Sequence, residues 1–208
     1  TKLIGLKGLH GTGKTEWLSR KIQPYLNQGQ RVIIITHREQ LSRELAKRFG
    51  IDYRTEINQS ETKGNLGYTL CIDSLHPNAN PPFKAENWED AIVVIDEVEQ
   101  VLWHTLNGGT CQKKRVSILK SLRKLLRTVV QSEQGKIFIA DADLSPIAIN
   151  YIEELIGYNL PRFIVNNTYL PNANRKMYCY QGTSPSELID GLKKDLEQGQ
   201  KIIIHTDG

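Results

Sequence analysis

Apolar runs rich in β-branched residues recur at Lys2–Leu6, Arg31–Thr36, Thr69–Ile72, Ala91–Ile95 and Lys136–Ala140. Within each run the apolar positions follow one another instead of alternating with polar ones, the pattern of strands buried on both faces of a parallel sheet. Between several of them the apolar positions take a helical period, over Thr15–Leu26, Glu39–Phe49 and Cys111–Gln131. Strands and helices alternating in this way predict a doubly wound α/β fold with a mostly parallel sheet. His76–Asp90, which carries Pro77, Pro81 and Pro82, reads as a long polar loop, and Asn107-Gly108-Gly109 separates two helices. After about residue 160 the pattern changes. Short strands at Phe163–Val165 and Lys176–Tyr180 flank Pro171-Asn172-Ala173-Asn174, a helix follows over about Pro185–Glu197, and Lys201–Ile204 reads as another strand. Residues 1–160 are therefore expected to form one domain and 161–208 a linker with the truncated start of a second.

Composition changes this picture little. The 208 residues are 39% hydrophobic and 24% charged, the balance of a soluble globular chain. No run approaches the roughly 20 apolar residues that span a bilayer, and residues 1–30 show no apolar export signal. Cys71, Cys111 and Cys179 are scattered without a CxxC pair, which argues against disulfides and zinc and favours the cytoplasm. A net charge of +4, from 27 Lys and Arg against 23 Asp and Glu, permits a nucleic-acid partner without requiring one.

The chemistry is concentrated in two places. Gly8-Leu9-His10-Gly11-Thr12-Gly13-Lys14-Thr15, after the first strand, matches the complete phosphate-binding pattern of four free positions between a Gly and Gly-Lys-Thr. A strand, a tight Gly-rich turn and a helix aim backbone N–H groups and the positive helix end at an anion. Gly8, Gly11, Thr12, Gly13, Lys14, Thr15 and the adjoining Glu16 are the expected ATP-binding residues, with Lys14 reaching the outer phosphates and the Thr15 hydroxyl ligating Mg²⁺. His10 occupies a free position there and reads as a loop-shaping residue. The second place is Ile92-Val93-Val94-Ile95-Asp96-Glu97, a strand ending in adjacent carboxylates. Asp96 suits Mg²⁺, and Glu97, pointing elsewhere, suits orientation or deprotonation of a water attacking the γ-phosphate. A water activator favours hydrolysis over transfer to a small acceptor, and Glu97 and Lys14 are the expected catalytic residues.

These residues resemble the first RecA-like domain of the superfamily-2 helicases and translocases. Asp96-Glu97-Val98-Glu99 is similar to the DExx box, and Thr36-His37-Arg38-Glu39-Gln40-Leu41 resembles the family's first DNA-contact motif. Asp73-Ser74-Leu75 resembles the next, while Ala140-Asp141-Ala142-Asp143 sits where the family couples hydrolysis to movement. Cys71–His76 and Asp96–Leu102 are most similar to replication-origin-binding helicases of the herpesvirus kind and to plasmid replication proteins. The resemblance covers roughly residues 2–160. It implies a RecA-like P-loop NTPase acting with ATP and Mg²⁺ on single-stranded DNA, with Thr36, His37, Arg38 and Ser74 touching the strand and Asp141 and Asp143 coupling. Two departures stand out. Residues 1–7 hold no counterpart of the adenine-reading glutamine motif, and Asp141-Ala142-Asp143 replaces the commoner Ser-Ala-Thr. Lys201–Gly208 resembles the first strand of a second RecA-like domain of the same polypeptide, the domain that supplies the arginine finger in this family, so slow hydrolysis is expected of residues 1–208 alone.

His76 falls with Thr36–Arg38 and Ser74 at carboxyl ends of strands, the edge a single strand would track. Over Cys111–Gln131, Val116, Ile118, Leu119, Leu122, Leu125, Leu126 and Val129 fall broadly on one side and Lys113, Lys120, Arg123, Lys124 and Arg127 opposite, which reads as a solvated basic face. Trp17, Trp88 and Trp103 suit either base stacking or core packing, with burial expected for at least two. Two other functions fit the same motifs. One is a P-loop kinase with Arg123 or Arg127 in a lid; the other is a non-catalytic nucleotide-binding module.

Overall fold

A computed structural model of the chain describes residues 1–59, 66–169 and 184–202, and its contacts divide it into Thr1–Pro171 and Asn172–Gly208. The first unit is built on strands β1 (Leu3–Gly8), β2 (Val32–Thr36), β3 (Asp52–Tyr53), β4 (Gly67–Cys71), β5 (Ile92–Asp96), β6 (Lys136–Asp141) and β7 (Arg162–Asn167). They form a seven-stranded sheet in the order β3-β4-β2-β5-β6-β1-β7, and every neighbouring pair is parallel. Helices α1 (Lys14–Asn27), α2 (Glu39–Phe49), α3 (Val98–Asn107), α4 (Arg115–Gln131) and α5 (Pro146–Ile156) make the crossovers. In the second unit the described helix is α6 (Ser186–Glu197).

The continuous apolar runs have a direct cause. Successive residues of a strand point to opposite faces, and here both faces are covered. Val32, Ile34, Ile92, Val94 and Phe138 pack on one side with Leu18, Ile22, Leu45 and Phe49 from α1 and α2. Ile33, Ile35, Val93, Ile95, Ile137 and Ile139 pack on the other with α3, α4 and α5, through residues such as Val101, Ile118, Leu122, Leu125 and Ile152. Among the described residues no helix is long and apolar enough to cross a membrane, and Cys71 and Cys111 are buried free thiols.

The long loop before β5 is less polar in space than in sequence. Phe83, Ala85 and Trp88 are buried, and Ala85–Trp88 form a 3-10 turn packed against α4. The Trp88 ring meets Tyr68 edge-on at 5.1 Å between centroids, and the Arg31 guanidinium lies 4.2 Å from its centre. Trp88→Ala is expected to cost about 3–5 kcal/mol, measurable by denaturant unfolding. Of the other tryptophans, Trp17 is half-buried and Trp103 is 62% exposed, so full burial holds for Trp88 alone.

Two further elements differ from the sequence reading. Helix α5 starts sharply because the Ser145 hydroxyl accepts from the Ala148 N–H and Pro146 opens the first turn. Strand β7 pairs with β1 along its length, Leu3 opposite Arg162 through Gly8 opposite Asn167. It therefore belongs to the first sheet, and the first unit continues to Pro171 where the sequence pattern set the division at 160. As an edge strand β7 leaves Phe163 60% exposed, which breaks the continuous apolar signature of the inner strands. The strand expected at Lys176–Tyr180, and most of that at Lys201–Ile204, lie outside the described residues.

Candidate functional site

The loop after β1 and the end of β5 meet at the carboxyl edge of the sheet. Gly11 and Gly13 both lie in the left-handed region, with φ of 75° and 80°, a conformation that disfavours any side chain. Gly13 is also the residue from which α1 starts, and the Trp17 N–H donates to its carbonyl at 2.9 Å. The Thr12 hydroxyl donates to the Leu9 carbonyl at 2.7 Å and fixes the turn. The Lys14 ammonium folds over the loop, donating to the carbonyls of Gly8 and, at 3.0 Å, of Leu9.

Asp96 lies two strands away, beyond β6, yet the parallel register carries it to the same level: Asp96 is opposite Ala140 on β6, and Asp141 is opposite Lys7 on β1. The Thr15 hydroxyl reaches across and donates to Asp96 Oδ2 at 3.3 Å. Burial, reinforced by the neighbouring Glu97 charge, pushes the Asp96 carboxyl up to about 6, against the pull of the Thr15 hydrogen bond. A raised carboxyl favours the folded chain while protonated, a contribution fully present below the unfolded pKa near 4 and lost as pH rises through about 6. Asp96→Asn, which stays neutral, is therefore expected to add up to about 3 kcal/mol of stability above pH 6 and little below pH 4. Chemical unfolding of both proteins at the two pH values checks this.

Glu97 has a left-handed backbone, φ 54° and ψ 53°, directly before α3. That conformation costs a side-chain-bearing residue about 1–2 kcal/mol and turns Glu97 away from the course of β5. Its Oε2 lies 3.4 Å from Nδ1 of His37, whose side chain is 8% exposed. The contact is an approach of charge to ring without hydrogen-bond geometry, since neither His37 nitrogen has a hydrogen-bond partner among the described residues. Burial is the main cause that lowers the His37 pKa, outweighing the opposing pull of Glu97, so the imidazole is neutral at pH 7.

Lys14, Thr15, Asp96 and Glu97 open on one cavity of about 340 Å³, shared with His10, Gly11, Gly13 and Glu16. Its remaining wall is Leu41 and Arg48 of α2 and Ala142 after β6, none of which the sequence reading assigned to the nucleotide. Leu41 and Arg48 are seven positions apart on one helix face, a signal that becomes informative only once α2 is known to pack beside α1. Glu16 is half-engaged elsewhere, accepting from Arg20 at 2.8 Å. A larger recess of about 590 Å³ at the end of α5 is lined by Asn150, Glu153, Glu154, Gly157, Tyr158 and Asn159, none of them a residue of either motif.

Asp141 ties this end of the sheet together. Its carboxylate accepts from the Glu99 N–H at 2.9 Å, in the first turn of α3, and from the Asp143 N–H at 3.0 Å. Glu99 in turn accepts from the Ser145 N–H at 2.8 Å. Asp141 thus bridges β6, the start of α3 beside Glu97, and the approach to α5. Asp143 engages through its backbone, and its residue is exposed.

The four residues expected to touch a single strand separate into two groups. Thr36 is fully buried and its hydroxyl donates to the Arg38 carbonyl at 3.0 Å, so it shapes the loop and has no surface to offer. His37 is turned inward to Glu97. His76, 2% exposed, is likewise interior. Arg38 is exposed and Ser74 half-buried, at the ends of the adjacent strands β2 and β4. On α4 the basic face is partly committed: Arg127 donates to the Ile156 carbonyl at 2.7 Å, and Lys124 pairs with Glu86 at 3.0 Å.

No family model matches the chain. It is 38% identical over 208 residues to an uncharacterized protein of Picosynechococcus sp. (strain ATCC 27264 / PCC 7002 / PR-6), a match covering 99% of this chain and 21% of that protein. The chain thus spans about a fifth of the length of the curated relative it matches.

Proposed function

We propose that the chain is the ATP-hydrolysing, RecA-like P-loop domain of a superfamily-2 helicase or translocase acting on single-stranded DNA in plasmid or origin replication. The observation that carries this reading is the Thr15 hydroxyl on the Asp96 carboxylate at 3.3 Å, with Lys14 and Glu97 facing the same cavity. Hydroxyl and carboxylate oxygens are the hard donors that Mg²⁺ takes, in a site completed by phosphate and water. Among the described residues no group of three or more His, Cys, Asp or Glu offers an all-protein cage instead. Bound there, Mg²⁺ neutralises charge on the outer phosphates.

The chain's own residues then have distinct parts. The loop N–H groups and the N-terminus of α1 hold phosphate oxygens, and Lys14 exchanges the Gly8 and Leu9 carbonyls for them. Glu97 orients the attacking water and takes its proton, while His37 holds Glu97 in place. Asp141 links the same corner to α3, giving hydrolysis a route into a helix movement. Arg38 and Ser74 meet the phosphate backbone of the strand, a contact that positions without reading sequence.

Product analysis tests the reading. Incubation with ATP, Mg²⁺ and single-stranded DNA is expected to yield ADP and free phosphate. A phosphorylated small molecule without free phosphate marks a kinase, and saturable ATP binding without turnover marks a nucleotide-binding module.

A further inference from the structure

The positive excess of the chain resides in one segment. Residues 111–131, which contain α4, carry seven Lys and Arg and no Asp or Glu. Of the chain's 27 Lys and Arg that leaves 20 to set against 23 Asp and Glu, so the rest of the chain is net negative. The inner face of α4 gives Ile118, Leu122, Leu125 and Leu126 to the core, which turns the cations outward. Three of the seven are engaged. Arg115 and Arg127 donate to the carbonyls of Thr105 and Ile156, and Lys124 pairs with Glu86. Lys113, Lys114, Lys120 and Arg123 are exposed and have no acidic partner among the described residues. Cations on α1 and α2 differ in this respect, since Arg20 is answered by Glu16 and Arg43 by Glu39 and Glu56. Like charges four positions apart, as Lys120 with Lys124 and Arg123 with Arg127, destabilise a helix unless something neutralises them.

We infer that the outer stripe of α4 is a nucleic-acid surface of its own, seating the phosphate backbone of a duplex. Its place in the fold sets it apart from the cavity. Helix α4 packs against Ile72–Ser74, beyond the carboxyl end of β4, and against Ala85–Trp88, before the amino end of β5, so it runs along the flank of the sheet. None of its residues lines the cavity that holds Lys14 and Asp96. Val116, Lys120, Arg123 and Arg127 recur at steps of three and four, with Lys113 and Lys114 ahead of them, and so line one side of the helix. The 17 residues of α4 extend about 25 Å, the length of about seven base pairs of one strand. Three features choose the occupant. Protein interfaces are poor in Lys at their centres and rely on large apolar anchors, whereas Val116 is the one exposed large apolar residue of this helix. Single strands are held on aromatic rings, and residues 111–131 contain no Phe, Tyr or Trp. Evenly spaced cations without rings match a duplex, whose bases are stacked away and whose phosphates face outward.

The test is fluorescence anisotropy of a labelled duplex of mixed sequence with the chain, without nucleotide, over a range of salt concentrations. With four free cations on four phosphates, log affinity is expected to fall with log salt at a slope of about −3 to −4, or about 10²-fold between about 50 and 200 mM. The triple variant Lys113→Gln, Lys120→Gln, Arg123→Gln is expected to bring the slope about three closer to zero, one for each contact removed. Glutamine is nearly as good a helix former as Lys and Arg, and an unchanged unfolding midpoint verifies the fold. A control triple, Arg20→Gln, Lys21→Gln, Lys47→Gln, removes the same charge from exposed positions on the helices of the opposite face. It is expected to leave the slope as in wild type. Equal losses in the two triples would make the effect one of net charge and overturn the inference. So would a single strand weakened as much as the duplex, or polyglutamate of matching charge displacing the duplex. Because nucleotide is absent throughout, failure here leaves the phosphate-loop reading standing, and loss of ATP binding leaves this surface standing.

Discussion

Glu97→Gln is expected to bind MgATP as wild type does and to release phosphate at least about 10²-fold more slowly, the usual worth of a positioned general base. The two side chains have the same shape, so the left-handed backbone before α3 and the packing against His37 survive. What is lost is the proton acceptor. Asp96, Thr15 and Lys14, the residues proposed to hold the phosphates and metal, are untouched by the change. Equilibrium binding of a fluorescent ATP analogue combined with a phosphate-release assay separates the two effects. Unchanged phosphate release would show that Glu97 does not activate water. His37→Asn is expected to show a milder form of the same split: a reduced turnover rate with nucleotide affinity preserved.

Lys14→Ala is expected to weaken MgATP binding by about 10²-fold or more, from the loss of charge-assisted contacts worth about 1.5–3 kcal/mol each. The fold should be unaffected. Among the described residues the ammonium donates to the carbonyls of Gly8 and Leu9, at the half-buried start of α1 where water can replace it. Circular dichroism and the unfolding midpoint verify that point, and titration gives the affinity. An affinity equal to wild type would place the nucleotide elsewhere.

How much of this was legible in the sequence follows from how local each feature is. Gly8–Thr15 and Ile92–Glu97 are self-contained strings that the fold brings to one cavity, and the inner strands announce themselves because both faces are buried. Strand β7 shows in the sequence only as the short strand Phe163–Val165 and is set outside this sheet, since an edge strand with exposed Phe163 lacks the continuous apolar run of the inner strands. Phe83 and Trp88 were hidden in a Pro-rich polar stretch although they anchor it. The wall formed by Leu41 and Arg48 depends on α2 packing beside α1, a tertiary fact. His37 shows the limit best. It follows β2 just as Glu97 follows β5, and only the sheet order, which places those strands side by side, turns a residue expected to touch DNA into a neighbour of the candidate general base.

The most direct test of the central claim is calorimetric titration of the chain with ATP, with Mg²⁺ and then with the metal chelated. The expected result is saturable one-to-one binding with Mg²⁺, strongly weakened on chelation, since the Thr15 and Asp96 oxygens are the groups that would hold the ion. Absence of saturable binding at millimolar ATP, or binding indifferent to the metal, would contradict it.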